Sequence, residues 1–251
     1  MVLLPPFPFD RRIWSANAPA IIAAGFRVIT LDYPGFGPTA SPAAPSDVAI
    51  AAIAASTSAL LDARGVARAT LLGISMGGYV ALAFAALFPE RLSALVLVDT
   101  RASGDTPAAR QGRAQALDTL GSRGVGAYLA QSLPRLLDAA ASPAMRAATR
   151  ALAVERPEAL ASGIAALRDR RDRAADALRI TCPTLVLVGA GDQVTPPAEM
   201  RALADAIAGA RFVELPGAGH LTNLEAPAAF NREVVTFLGA LPRTVAGEGR
   251  S

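Results

Sequence analysis

One six-residue stretch, 73–78, constrains the fold of this chain more than any other. It reads Gly-Ile-Ser-Met-Gly-Gly, follows the apolar run 69–74 and opens the apolar helical pattern 76–87. A sharp strand-to-helix turn needs small residues two before and two after the serine, because neighbouring segments come close there. Such a turn strains the backbone of Ser75 and lifts its hydroxyl out of the sheet, where the first N–H groups of the helix point. The sequence therefore predicts a nucleophile elbow.

Short apolar runs alternate with helical patterns along most of the chain. Runs rich in Val, Ile and Leu without strict alternation are typical of strands that are covered on both faces. Their alternation with helices predicts an α/β fold, a mostly parallel sheet with right-handed crossovers and helices on both faces. The predicted strands are 2–4, 27–31, 69–74, 94–98, 184–188 and 211–215, and the predicted helices are 47–64, 76–87, 197–208 and 226–238.

The alternation stops between residues 101 and 179, where the chain is rich in Ala, Arg and Leu. Proline and glycine divide this stretch, so we expect several short helices. Because sheet strands flank it, we predict a core formed by residues 1–100 and 180–251 and a helical cap inserted at 101–179; a separate second domain is the alternative. We interpret the Arg/Asp run 168–176 as a solvated helix face with charges paired four residues apart, such as Asp169 with Arg173, and keep an anionic-substrate site as the alternative.

Two further residues narrow the chemistry that Ser75 can support. The only histidine, His220, lies in a glycine-containing loop after the last predicted strand, at the same carboxyl edge of the sheet as Ser75. A serine hydroxyl needs such a base to become a nucleophile. The imidazole in turn needs a carboxylate that orients it and stabilises its charged form. We favour Asp192, which follows the fifth strand directly, because the glycines beside it suit a turn that points at the site. Asp99, at the end of the fourth strand, is the alternative.

Composition excludes several classes of function. One cysteine, Cys182, excludes an internal disulfide and a Cys-rich metal site, and one histidine excludes a site that needs two. The 24 basic residues are all Arg and face 21 acidic ones, so the net charge of +3 does not indicate a nucleic-acid surface. The start lacks the basic segment of a signal peptide, and the longest apolar run, 79–88, is too short to span a membrane. We expect a cytoplasmic protein without metal, cofactor, nucleic-acid or membrane partner.

From residue 2 to about residue 240 the chain resembles the α/β-hydrolase superfamily. The resemblance rests on Leu-Asp-Tyr-Pro-Gly-Phe-Gly at 31–37, the elbow at 73–78, Val-Leu-Val-Gly-Ala-Gly-Asp at 186–192 and Gly-Ala-Gly-His at 217–220. The chain order Ser75, Asp192, His220 is that of the superfamily. The sequence is similar in particular to small capped bacterial carboxylesterases, 3-oxoadipate enol-lactonases and cofactor-free perhydrolases.

The resemblance also implies an oxyanion hole built from two backbone N–H groups. One belongs to Met76, directly after the nucleophile. The other belongs to Phe7, which aligns with the residue that follows a His-Gly pair in the family. Pro5-Pro6 stands here where His-Gly is usual. Prolines carry no N–H, but neither needs to donate if Phe7 does.

The family usually has about two strands before the one that begins here at residue 2. Either the chain is a shortened version or its start is assigned late. Without those strands, strand 27–31 is expected to form an exposed edge of the sheet. Such an edge favours pairing with another chain, so an oligomer is possible through it.

The function that the resemblance implies is a serine hydrolase that cleaves a small carboxylic ester or lactone through an acyl-enzyme. A C–C bond hydrolase or a perhydrolase would use the same three residues. A non-catalytic ligand receptor on the same fold is the alternative from another class. The nucleophile is Ser75 rather than an aspartate, which argues against haloalkane dehalogenases and epoxide hydrolases.

Four side chains are candidates for the substrate pocket: Trp14, for which core packing is the alternative, and Tyr128, Leu129 and Met145 in the predicted cap. We assign Glu225 a structural use, because an acidic side chain in the first turn of the last predicted helix suits the helix dipole.

Overall fold

The computed structural model describes residues 1–37 and 49–242. Its strands are β1 (Val2–Leu4), β2 (Ile29–Thr30), β3 (Ala69–Ile74), β4 (Leu92–Val98), β5 (Thr184–Gly189) and β6 (Arg211–Leu215). They form one sheet in the order β2-β1-β3-β4-β5-β6, with every neighbouring pair parallel. The predicted α/β class and the predicted parallel sheet are confirmed.

The helices pack around this sheet. They are α1 (Ala18–Ala23), α2 (Ile50–Ala63), α3 (Met76–Leu87), α4 (Pro107–Ser132), α5 (Pro143–Leu152), α6 (Pro157–Asp169), α7 (Ala174–Ala177), α8 (Pro197–Ala206), α9 (Thr222–Glu225) and α10 (Pro227–Gly239). Helix α3 is apolar on every side and contacts β1, β3 and α2, so it lies buried in the core. The first residues of the predicted helix 47–64 lie partly outside the described residues. No helix of the described ranges combines the length and the hydropathy that a membrane span requires.

Strand β2 forms one edge of the sheet and, among the described residues, pairs only with β1. The predicted edge is therefore present, but the strand has two residues instead of five. Its side chains are half-buried. Pairing of this edge with another copy stays a prediction.

Between β4 and β5 the chain forms α4 to α7 and no strand within the described residues. We call residues 101–179 the insert. Helix α4 passes through the predicted break at Gly121 and changes direction at Gly124, whose φ of 79° is not helical. The insert was predicted to be a helical cap inserted between two parts of the core, with a separate second domain as the alternative, and this division of the chain stays a prediction.

The Arg/Asp run 168–176 does not form the single solvated helix face that the sequence predicted. Helix α6 ends at Asp169, so the expected pair with Arg173 does not form. Asp169 instead pairs with Arg168, and Arg173 pairs with Asp176. Arg170, which was predicted to be solvated, is buried. The chain leaves the helix at Arg170, whose side chain binds Asp105 and the carbonyl of Ser103 near the start of the insert.

Candidate active site

Four polar residues follow four neighbouring strands at one edge of the sheet. Ser75 follows β3, Asp99 follows β4, Asp192 follows β5 and His220 follows β6. Because these strands are parallel, their carboxyl ends lie side by side. Side chains as far apart in the chain as Ser75 and His220 therefore meet at this edge.

Ser75 occupies a strained turn between β3 and α3. Its φ of 51° and ψ of −113° lie in a region that residues with a side chain rarely adopt. Neighbouring β4 holds the turn, since the Ser75 N–H donates to the carbonyl of Val98 at 2.9 Å. The Thr100 hydroxyl donates to the carbonyl of Ser75, also at 2.9 Å. The main chain is thus fixed on both sides of the nucleophile candidate.

Glycines at the turn are required by space. A Cβ on Gly73 would overlap the carbonyl of Gly77, and a Cβ on Gly77 would overlap the carbonyl of Leu4 at the end of β1. A Cβ on Gly78 would overlap the side chain of Thr100. The glycine pattern read from the sequence therefore has a direct steric cause, close packing of β1, β3 and β4 on the first turn of α3.

Ser75, His220 and Asp192 form a continuous line of hydrogen bonds. His220 Nε2 lies 2.8 Å from Ser75 Oγ, and His220 Nδ1 lies 2.8 Å from Asp192 Oδ2. A charged carboxylate only accepts, so Nδ1 carries the hydrogen and Nε2 is free to accept from the serine hydroxyl. All three residues are buried, Ser75 at 9% exposure and His220 at 2%. The arrangement can move a proton from the hydroxyl to the imidazole.

The loop after β5 holds Asp192 in its charged form. Oδ1 accepts the N–H groups of Val194 and Thr195 at 2.7 and 3.0 Å, and Oδ2 accepts the Thr195 hydroxyl at 2.5 Å. Burial alone would raise the pKa of Asp192. The electrostatic attraction of His220 and the hydrogen bonds from His220 and Thr195 outweigh burial and hold the pKa of this carboxyl below its ordinary value.

Asp99, the alternative carboxylate, faces the backbone and not the imidazole. Its Oδ1 accepts the N–H of Gly189 at 3.0 Å, and its Oδ2 accepts the hydroxyl of Thr222 at 2.8 Å. Full burial, and next the charge of Asp192, raise the pKa of Asp99 well above its ordinary value. It ties the two loops after β5 and β6 together behind the site.

The two N–H groups predicted to bind an oxyanion are free. Neither the N–H of Phe7 nor that of Met76 has an acceptor among the described residues. Helix α3 leaves the N–H of Met76 unpaired because it is the first helical residue. The Pro5-Pro6 loop before Phe7 is held by the buried Tyr33, whose hydroxyl donates to the carbonyl of Pro5 at 2.8 Å. This tyrosine contact was not found from the sequence.

The insert contacts the Phe7 loop directly. Phe9 and Ala153 form an antiparallel bridge, and the N–H of Val154 donates to the carbonyl of Pro8 at 2.9 Å. The loop that carries the Phe7 N–H is therefore held by the insert as well as by β1. Extended pairing across this sequence distance leaves no signal in either segment alone.

Gly163 of α6 lies against the ring of Phe7. A Cβ on Gly163 would overlap this ring, and next the ring of Phe36. The two rings meet edge to face, with centroids 5.9 Å apart. A glycine inside a helix lowers helix stability, and here it makes room for the aromatic contact.

Of the four predicted pocket residues, Tyr128 lies beside the Phe7 loop. The centroids of the Tyr128 and Phe7 rings are 6.5 Å apart. Trp14 and Leu129 are fully buried in the core, and Met145 is half-buried against it. A role of these four residues in substrate binding stays a prediction.

Glu225 has partners that the sequence did not suggest. Its carboxylate accepts the N–H groups of Asp138 in the insert and of Gly219 beside His220. Its predicted contribution to the dipole of the last helix, which begins at Pro227, stays a prediction. The N–H of His220 itself donates to the carbonyl of Leu136 in the insert at 3.1 Å. The histidine loop is therefore also held by the insert.

Within the described ranges, no three His, Cys, Asp or Glu side chains cluster as metal ligands would.

The sequence model of the alpha/beta hydrolase fold family matches residues 1–227. The structure of a thermophilic esterase from Thermogutta terrifontis has a TM-score of 0.89 and 33% identity, over 96% of this chain and 89% of that one. The structure of the enol-lactonase from Burkholderia xenovorans LB400 has a TM-score of 0.85 and 33% identity, over 95% and 90% of the two chains. A Mycobacterium tuberculosis protein with the provisional name non-heme bromoperoxidase BpoC is 32% identical over 248 residues, 92% of this chain and 90% of that protein.

Proposed function

The chain belongs to the α/β-hydrolase family of enzymes, and from that premise we propose that it is a serine hydrolase of small carboxylic esters or lactones. The observation that carries the proposal is the line of two 2.8 Å hydrogen bonds from Ser75 Oγ through His220 to Asp192. Such a line gives a serine both the base and the carboxylate that its nucleophilic chemistry requires. The esterase and enol-lactonase named among the similar structures support the ester and lactone class.

In the first half-reaction, Ser75 Oγ attacks the carbonyl carbon while its proton passes to His220 Nε2. The electron pair of the carbonyl moves to oxygen, and the N–H groups of Phe7 and Met76 bind the oxyanion. Each such donor contributes about 10²- to 10³-fold in rate. Asp192 accepts from Nδ1 and stabilises the imidazolium. Collapse of the intermediate breaks the C–O bond, and the leaving oxygen takes the proton from Nε2.

In the second half-reaction, water attacks the acyl-enzyme and gives a proton to His220. Collapse then releases the carboxylic acid, and the proton returns to Ser75 Oγ. For a lactone the leaving oxygen stays attached to the acyl chain, so the product is a single hydroxy acid. We expect an apolar acyl group, because the ring of Tyr128 on α4 lies beside the ring of Phe7, whose N–H is a proposed oxyanion donor.

A perhydrolase is the second candidate, because the Mycobacterium tuberculosis relative is named a bromoperoxidase. Hydrogen peroxide would then replace water as the nucleophile that attacks the acyl-enzyme, and a peracid would leave. A C–C bond hydrolase would use the same residues but has no specific support here. The free N–H of Phe7 weighs against a non-catalytic receptor, whose main support was the Pro5-Pro6 substitution.

A fluorophosphonate probe tests the nucleophile. We expect one label per chain, lost in Ser75→Ala and kept in the control Ser122→Ala, because the hydroxyl of Ser122 lies exposed on α4 and donates only to the main-chain carbonyl of Asp118. A folded protein that resists the probe would favour the receptor. A series of p-nitrophenyl esters of rising chain length, with lactones, with and without peroxide, then separates the hydrolase from the perhydrolase.

A further inference from the structure

We propose that Glu225 is a positioning residue, which sets the orientation of His220 by fastening its loop to the insert. Its kinetic consequence rests on the proposed function, because it presumes that His220 is the base. The contact itself stands on the geometry alone.

Three consecutive N–H groups around His220 are bound by two acceptors. Glu225 Oε1 accepts the N–H of Gly219 at 2.9 Å and that of Leu221 at 3.4 Å. The N–H of His220, between them, donates to the carbonyl of Leu136 at 3.1 Å. The main chain on either side of the imidazole is therefore fixed by one carboxylate oxygen and one carbonyl of the insert.

The second oxygen of the same carboxylate reaches the insert. Glu225 Oε2 accepts the N–H of Asp138 at 2.7 Å. A carboxylate carries no hydrogen, so it can accept from donors at both oxygens. A glutamine would turn an NH2 group towards one of these N–H donors and leave that side unpaired. The bridge therefore requires an acid at this position.

Close packing shows that the insert and the histidine loop fit against each other without room to spare. A Cβ on Gly219 would overlap the main chain of Leu137 and Asp138, and a Cβ on Gly191 would overlap the side chain of Asp138. Segment 136–138 thus touches the loop that carries His220 and also the loop that carries Asp192. Only glycine permits the main chain to approach this closely.

The bridge matters for rate because the imidazole must serve Ser75 and Asp192 at once. A misplacement of about 1 Å in such a group lowers the rate by about 10²-fold. Glu225 does not touch the reacting atoms, so its loss is expected to lower kcat and to leave KM nearly unchanged.

The test uses Glu225→Gln, with Glu214→Gln as the matched control, since Glu214 is an exposed acid on β6. His220 is the only histidine, so an NMR spectrum of the full chain contains a single set of imidazole signals. In Glu225→Gln we expect the Nδ1–H resonance to shift or broaden and kcat to fall by about 10- to 100-fold. Glu214→Gln should match the wild type in both.

A second variant and hydrogen exchange test the same bridge. Glu225→Asp keeps the charge but shortens its reach, so we expect it to fail like glutamine; full recovery by aspartate overturns the bridge. In the wild type, the amides of Asp138, Gly219 and Leu221 should be protected from hydrogen exchange. Free exchange at Asp138 overturns the proposal even if the variants do not fold.

An imidazole spectrum and a kcat that are unchanged in Glu225→Gln also overturn it. Failure of the proposed function gives a different result. The wild type would then resist the fluorophosphonate probe, while the imidazole spectrum of Glu225→Gln would still decide whether Glu225 orients His220.

Discussion

Ser75 and His220 lie 2.8 Å apart but are held by different parts of the molecule. Ser75 is fixed by the sheet, through Val98 on β4 and the close approach of Gly77 to β1. The loop of His220 is fixed from the core through Thr222 and Asp99, and in addition by the insert through Leu136 and the Glu225 bridge. The nucleophile candidate therefore depends on contacts within the core, whereas its base depends also on a segment that lies outside the sheet.

The oxyanion side repeats this difference. The N–H of Met76 belongs to the elbow, whereas the loop of Phe7 is bound by Val154 and packed by Gly163 of the insert. The nucleophile and its base therefore differ in what holds them, and so do the two oxyanion donors: one member of each pair is held by the core alone, and the other is held also by the insert. Variants at the two kinds of contact should separate these contributions.

The largest effect is expected at the core-held carboxylate. Asp192→Asn removes the acceptor that orients His220 Nδ1, so kcat should fall by about 10⁴-fold, as in serine proteases. Asp99→Asn, the matched control at the neighbouring strand end, should lose less than about 10-fold, because Asp99 binds Gly189 and Thr222 and not the imidazole. Steady-state kinetics on a p-nitrophenyl ester measures both. The reverse order of losses would make Asp99 the carboxylate partner.

The next effect concerns the anchorage of the insert. Arg170 is buried and binds Asp105 and the carbonyl of Ser103, which joins the end of α6 to the start of the insert. Arg170→Ala removes this partner and leaves Asp105 paired with Arg113 alone, so the free energy of unfolding should fall by about 1.5–3 kcal/mol, the value of a hydrogen bond to a charged group. Urea denaturation measures this. Arg168→Ala, which breaks an exposed pair with Asp169, should leave the midpoint unchanged, and equal losses in both variants would contradict the assignment.

A smaller effect is expected at the contact between the insert and the Phe7 loop. Gly163→Ala places a methyl group where the Phe7 ring lies, so the ring or α6 must shift, and we expect the N–H of Phe7 to shift with the ring. We expect kcat to fall by about 10-fold, part of the value of one oxyanion donor. Gly121→Ala on α4 has open space around the new methyl and serves as the control. Equal kcat in both variants would show that the Phe7 N–H does not depend on the insert.

The smallest effect is a change in how stability depends on pH. The pKa of Asp99 is raised in the folded state, so this residue stabilises the fold at acidic pH and loses that contribution as pH rises through its folded pKa. The pKa of Asp192 is lowered, so its contribution is present above its unfolded pKa and is lost as pH falls through the folded one. Asp99→Asn should therefore increase the free energy of unfolding at pH 8 relative to pH 4, compared with the wild type. Urea titrations at both pH values measure the difference, and an unaltered difference would place the raised pKa elsewhere.

The parts of the molecule that were predicted correctly are those with local causes. Strand β3 and helix α3 have the predicted bounds, because an apolar run, a steric turn and an apolar helix follow one another directly. The close approach of Ser75, Asp192 and His220 has a different basis. It was predicted because the carboxyl ends of neighbouring parallel strands share one edge of the sheet.

The parts that were missed depend on distant partners. Glu225 was assigned only to the last helix, because no residue near it in the sequence indicates a contact with Asp138, which is 87 residues away. The pair of Asp169 with Arg173 was expected from helical spacing, but the helix ends where Arg170 turns inward to Asp105. Buried ionic contacts of this kind override a local charge pattern.

The glycine packing of the elbow has a consequence for how such a protein acquires new substrates. The glycines around Ser75 have no space in which to vary, so under the proposed function we expect changes of specificity to come from the insert. The insert also contacts the histidine loop and the Phe7 loop. Substitutions in the insert that reshape the acyl pocket are therefore expected to lower kcat as well. Libraries that leave Leu136, Asp138 and Gly163 unchanged should yield a larger share of active variants than libraries that vary them.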